Sequence, residues 1–175
     1  NRSINQVKTD FRSPHRPTWS EEGDRIIVYG EQADGSVGLM SVNPENGKSL
    51  LLVKNAVHGF LGIDKTLWFT RSDQRGLWRV SMDRLAQTSL AVADCHSVFN
   101  WVVTKAKIFC EKRVKGKHEI WQFARFDDEA ERIAELPTGM IAQTGSFSFV
   151  HSSSQLIVTL DEPAESDIMR VAFRE

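Results

Sequence analysis

Gly38-Leu39-Met40-Ser41-Val42 returns as Gly76-Leu77-Trp78-Arg79-Val80, then as Glu119-Ile120-Trp121-Gln122-Phe123, and a last time as Asp167-Ile168-Met169-Arg170-Val171. Each copy is a small or acidic residue, an aliphatic, a Met or Trp, a polar residue and an apolar one. The copies recur at intervals of about 40 to 50 residues, so one supersecondary unit is used repeatedly. Upstream of each copy lies an apolar strand: Arg25 to Tyr29, Leu67 to Thr70, Lys107 to Cys110 and Gln155 to Leu160. Polar, turn-like residues separate the two, as in Gln32-Ala33-Asp34-Gly35 and Arg113 to Lys117. Further upstream is another short, mostly aromatic strand: Pro17 to Ser20, Gly59 to Gly62, Phe99 to Val102 and Ser146 to Phe149. The first three copies are followed by a polar turn and a last strand, at Ser49 to Val53, Thr88 to Val92 and Arg132 to Leu136.

Each unit is therefore predicted to be four short antiparallel strands, a to d. No segment has sustained helical spacing with capping signals. Strand b reads as an unbroken apolar run in Ile26-Ile27-Val28, as expected of a strand covered on both faces. Four-stranded sheets that repeat on this period, each too small to bury its own faces, describe an all-β propeller. The expectation is one domain, 1–175, with units at about 17–54, 55–94, 95–138 and 139–175. Segment 1–10 is left over, and Ile4 to Lys8 reads as an orphan outer strand. The last unit reaches Glu175 with strands a, b and c only. Either the orphan strand completes that blade and closes a four-blade ring, or the chain is the C-terminal part of a larger propeller. A start at Asn1 instead of Met favours the second expectation, and open sheet edges would then pair two chains into a homodimer.

Composition narrows the function. Hydrophobic residues are 41% and charged residues 26% of the 175, the balance of an ordinary globular domain. A net charge of -1 supplies no excess of cations for phosphates, so no nucleic-acid partner is expected. No apolar run approaches the roughly 20 residues of a membrane helix. Gly-x-Ser-x-Gly, a phosphate-cradling Gly-rich loop and His-Glu-x-x-His are all missing, so no enzyme and no cofactor are expected. The acidic run Asp127-Asp128-Glu129 and the basic run Lys112 to Lys117 read as solvated hairpin turns.

The candidate site is built from histidines. His15, His58 and His96 each precede a strand a, in the loop that enters a blade, and Gln143 holds the equivalent place in the fourth unit. Such loops share one rim of a propeller. Gathered at the channel mouth they could bind a metal or an anion, or sense protons near the ordinary histidine midpoint of about 6.5. Against a metal stands the lack of a close His/Cys pair, so none is assigned. The plainer reading is that each histidine is hydrogen-bonded within its own blade. The site reading expects His58→Ala and His96→Ala to change ligand or pH response without unfolding the chain. Cys95 and Cys110 flank strand a of the third unit. Cys110 is expected opposite Trp101, so a disulfide would need the preceding loop to fold back. Met40, Trp78, Trp121 and Met169, and the inner-strand Trp19 and Trp101, are expected to pack in the core.

Pro17-Thr18-Trp19-Ser20-Glu21-Glu22-Gly23-Asp24-Arg25-Ile26 resembles the proline-aromatic-Trp-Ser-Pro-Asp-Gly signature of TolB-like propeller repeats, with Glu21 at the usual Pro and Glu22 at the usual Asp. Gly62 to Lys65 and His151 to Ser154 keep only its polar turn. A narrower likeness covers most of the second half. Leu77 to Asp83, Phe99 to Val103 and Glu165 to Val171 resemble the C-terminal propeller of bacterial winged-helix transcriptional regulators of the membrane-anchored CadC-like type. The resemblance implies a periplasmic sensor end that responds to a small molecule, a proton load or a protein partner, with DNA-binding helices outside this segment. A cytoplasmic location is the alternative. The rival functions are a TolB-like periplasmic interaction module and the propeller of a serine peptidase separated from its hydrolase domain.

Overall fold

The computed structural model describes residues 6–125, 129–136, 141–150, 155–161 and 166–172, and these form two compact units, Asn1–Ala93 and Asp94–Glu175. The first unit holds β1 (Arg12–Trp19), β2 (Ile26–Glu31), β3 (Val37–Val42) and β4 (Ser49–Lys54), then β5 (Ala56–Leu61), β6 (Thr66–Arg71), β7 (Leu77–Ser81) and β8 (Ser89–Val92). The second holds β9 (Trp101–Val103), β10 (Lys107–Val114), β11 (Lys117–Ala124) and β12 (Ala130–Glu135), then β13 (Ile141–Val150), β14 (Gln155–Asp161) and β15 (Ser166–Ala172). Among the described residues three sheets have four strands and the last has three, every pairing is antiparallel, and each sheet keeps the strands in chain order. Among the described residues the one helical piece is a 3-10 turn, Met82–Arg84, capped by Ser81 Oγ, which accepts from the Asp83 amide at 3.3 Å.

The repeated pentapeptide is strand c in every sheet, and the strand before it pairs residue for residue: Ile26 opposite Val42, Leu67 opposite Val80, Ile108 opposite Phe123, Leu156 opposite Val171. Burial explains this fidelity. In β6 the residues Leu67, Trp68 and Phe69 are all buried, so both faces of a middle strand are covered and a slip in register would expose apolar side chains. The two sheets of the first unit pack through Ile27, Leu39, Leu52, Val53, Leu61, Leu67, Phe69 and Val80. Each such side chain removed from water contributes about 1.5 to 3 kcal/mol. Gly59 lets β5 come this close: a Cβ there would overlap Leu39 Cδ1. In the second unit Phe109, Ile120, Leu136, Leu156 and Val158 do the same work, with Phe109 and Phe149 stacked at 5.5 Å.

Several expectations change. Of the expected orphan strand Ile4 to Lys8, Ile4 lies outside the described residues, and 6–9 form no strand. Val7 and Phe11 instead pack on Val28, Met40 and Val42, so apolar contact with the first sheet, not backbone pairing, holds the segment. The basic run is mostly strand. Lys112 to Val114 end β10 and Lys117 opens β11, leaving a two-residue turn, Lys115-Gly116, with φ of 49° and 84°. Positive φ at both positions is the hairpin geometry whose twist matches the flanking strands. Asp127 and Asp128 lie outside the described residues. Trp19 is not core: at the end of β1 it is 56% exposed, whereas Trp101 is 3% exposed. Met40 is buried, but Trp78 and Trp121 are only half-buried. A cation covers each ring, Arg71 over Trp78 at 5.7 Å and Lys112 over Trp121 at 4.2 Å. The side chain of Met169 lies outside the described residues.

Candidate functional site

The histidines were expected in loops, and only His96 is in one. His15 is inside β1, His58 inside β5 and Gln143 inside β13, because the inner strands begin earlier than their aromatic residues suggested.

In the first unit β1 and β5 run side by side. Thr18 Oγ1 donates to the Gly59 carbonyl at 2.7 Å, and the Glu21 amide donates to the Leu61 carbonyl at 2.9 Å. This brings Arg16 of β1 to His58 of β5 closely enough for the guanidinium charge to act on the imidazole. β1 is irregular, with register shifts on both sides of His15 and with Ser13 and Arg16 at φ of 50° and 53°. Side-chain-bearing residues pay about 1 to 2 kcal/mol in that region, and bulges re-aim side chains. The result is a strand exposed throughout except at Thr18, presenting Arg12, His15 and Arg16. The His15 ring stacks on Tyr29 of β2, its register partner, at 6.3 Å between centroids.

His58 is chemically different from a free histidine. Burial, and then the nearby charge of Arg16, bring its midpoint down to about 4. It is neutral at pH 7 and stays so at pH 6, so a proton switch centred at about 6.5 does not operate at this residue. What this corner offers is a neutral imidazole beside a permanently cationic guanidinium.

In the second unit His96 is exposed and tied to its own sheet. Its amide donates to the Glu111 carbonyl at 3.1 Å, and its Nδ1 accepts from the Arg113 amide at 3.5 Å. The side chain of Gln143 lies outside the described residues. No three His, Cys, Asp or Glu side chains gather into a metal-binding group among the described residues.

A buried polar network of the third sheet escaped the sequence reading. Glu111 on β10 is buried; its Oε2 accepts from Asn100 Nδ2 at 2.6 Å, and its Oε1 meets His118 Nδ1. Glu119 is buried as well, accepting from Trp121 Nε1 at 2.7 Å and Arg132 Nη1 at 3.3 Å, and these partners hold its carboxyl below the usual range. A signal existed: Glu111 directly follows Ile108-Phe109-Cys110, and a carboxylate in an apolar strand needs partners. A surface cavity of about 540 Å³, lined by Lys107, Gln122, Glu129, Glu131 and three alanines, lies toward the other end of β10 from His96.

No family model matches the sequence. No curated protein sequence matches it. Solved structures do. TolB from Acinetobacter baumannii superposes with a TM-score of 0.63 at 10% identity, over 91% of this chain and 43% of that one. A puromycin hydrolase complexed with PGG gives 0.67 at 10% identity, over 93% and 27%. The sheets are blades of a β-propeller. An oligogalacturonate lyase from Vibrio parahaemolyticus gives 0.55 at 10% identity, over 91% and 65%. The propeller chain thus spans less than two thirds of each of these proteins, and at such identities the likeness speaks to the fold alone. Among the described residues no helix is long and apolar enough to cross a membrane.

Proposed function

We propose that this propeller is a non-catalytic sensor and interaction domain, the periplasmic end of a membrane-anchored winged-helix regulator of transcription. It takes up an anionic small molecule, or an acidic segment of a protein, on the inner strands of its first two blades. The observation that carries the ligand class is β1, exposed except at Thr18, twice shifted in register, and carrying Arg12, His15 and Arg16 next to His58. Backbone strain held in place by its surroundings is a recurring mark of ligand sites, and fixed cations on rigid strands bind carboxylate or phosphate with little ordering cost. The regulator context is supported by the likeness of Leu77 to Asp83, Phe99 to Val103 and Glu165 to Val171 to such proteins.

Two experiments test the two levels. The parent gene is expected to encode a winged helix and an apolar segment of about 20 residues upstream of Asn1. A signal peptide and small α/β domain there, or a hydrolase domain downstream, would replace the regulator with one of its rivals. Titration with inorganic phosphate and with a dicarboxylate, followed by NMR, is expected to move the amides of β1 and β5. Arg16→Ala should weaken that binding at least about tenfold, the loss of one charge-assisted contact, with an unchanged melting temperature. Equal binding by the variant would remove the assignment.

A further inference from the structure

Cys95 and Cys110 are buried against one another in the third blade, 2% and 0% exposed, and both are free thiols. Cys110 is on β10, opposite Trp101 of β9 on one side and Trp121 of β11 on the other. Cys95 belongs to the connector that precedes β9. Two contacts fold this connector back along β10: Lys112 Nζ holds Asp94 at 3.0 Å, and the His96 amide donates to the Glu111 carbonyl at 3.1 Å. They flank Cys95 on both sides and set it beside Cys110. The rest of the connector is equally built. Ser97 Oγ accepts from the Asn100 amide at 3.0 Å, and Trp101 Nε1 donates to the Val98 carbonyl at 3.0 Å.

We propose that Cys95 and Cys110 are an oxidisable pair whose internal disulfide pins the connector, with His96, to β10. The oxidant is a disulfide, either a small molecule or the oxidised dithiol of another protein. One cysteine thiolate attacks it, forming a mixed disulfide and releasing one external thiol. The second cysteine then attacks the mixed disulfide, and the other external thiol leaves. Two S–H bonds and one external S–S bond are lost; one internal S–S bond and two external S–H bonds are formed. The electron pair passes to the external disulfide, and both protons end on the released thiols. Burial pushes the Cys95 thiol up, so the first attack waits for the connector to open. The second attack follows as the connector closes again, because its two ties to β10 return Cys95 to the side of Cys110. Closure therefore belongs to folding or to loosening of the connector, and the closed bond is then shielded from reductants. A bridge across this loop constrains the unfolded chain and raises stability.

The test is refolding of the full chain in glutathione buffers of graded ratio, acid trapping, alkylation and mass spectrometry of peptides. The expected product is a Cys95–Cys110 linked peptide, two hydrogens lighter than the reduced pair. The oxidised chain is expected to melt about 5 to 10 °C above the reduced one. Cys95→Ser, the change on the connector side, should abolish the response to oxidant. If that variant fails to fold, the oxidised and reduced forms of the natural sequence still decide. Glutathione adducts or chain-to-chain dimers in place of the internal link would overturn the proposal, as would a linked form that melts no higher than the reduced one.

Discussion

A folded-state midpoint of about 4 for His58, against 6.5 for an unperturbed imidazole, ties its protonation to stability. Between those values the unfolded chain binds the proton and the folded chain does not. The contribution is fully present above pH 6.5 and is lost as pH falls toward 4, by at most about 3 kcal/mol. Arg16 is the cation that faces it from β1, and Thr70 lies opposite it on β6. Urea unfolding at pH 7.5, 5.5 and 4.5 should show the midpoint falling over this range, and His58→Gln should flatten the fall. Asp73 and Asp94 are held low by Arg71 and Lys112, so their contributions are lost only at lower pH and do not mask it. Glu111 gives a second residue-level expectation. Glu111→Ala takes an acceptor from Asn100 and a partner from His118 in a buried setting, and should cost about 2 to 3 kcal/mol by denaturant titration. A cost within 0.5 kcal/mol, the range of ordinary surface changes, would show that the network does not hold the connector.

Strands b and c were legible because both their faces are covered. In β6 and β7 the apolar residues leave one workable register, and the observed pairs Leu67–Val80 and Phe69–Trp78 follow the repeat. Strand a was misplaced because its start is set by contacts with other strands. Pro14 and His15 carry no strand signal, yet β1 begins at Arg12 because its bulges allow partial pairing with β2. The basic run was misread for a related reason: Lys112, Arg113 and Lys117 look like a turn, but Lys115-Gly116 is enough to reverse the chain. Two glycines then predict the behaviour of their elements. Gly59→Ala places a methyl group against Leu39 between two packed sheets, and overpacking of this kind costs about 1 to 3 kcal/mol. Gly116→Ala meets open space but must hold a φ of 84°, and should cost about 1 kcal/mol. Thermal melts of the two variants should rank them in that order.

Among its described residues the first unit exposes four large apolar side chains: Trp19, Leu50, Ile63 and Leu90. Trp19 lies opposite Ile26 in register, in the sheet whose Val28, Met40 and Val42 pack with Val7 and Phe11. Exposed aromatic residues on rigid strands are the usual anchors of protein contacts. The whole chain is therefore expected to self-associate as its concentration rises, with Trp19→Glu shifting it toward the monomer. Light scattering coupled to gel filtration measures this. A natural sequence that keeps a monomer mass up to hundreds of micromolar would end the pairing proposal.

The recurring pentapeptide, its apolar neighbour and their period were enough to specify an all-β chain of repeated sheets, since they follow from side-chain alternation and from the need of each small sheet for a neighbour. Contacts between distant residues decided the rest. Arg16 acts on His58 across two sheets, Asn100 reaches Glu111 across a connector, and Cys95 reaches Cys110 only because Asp94 and His96 are tied to β10. Composition and spacing record which groups a chain owns. Burial and proximity determine which of them stay neutral, which are paired and which can react, and those quantities arise only when strands far apart in the chain are brought together.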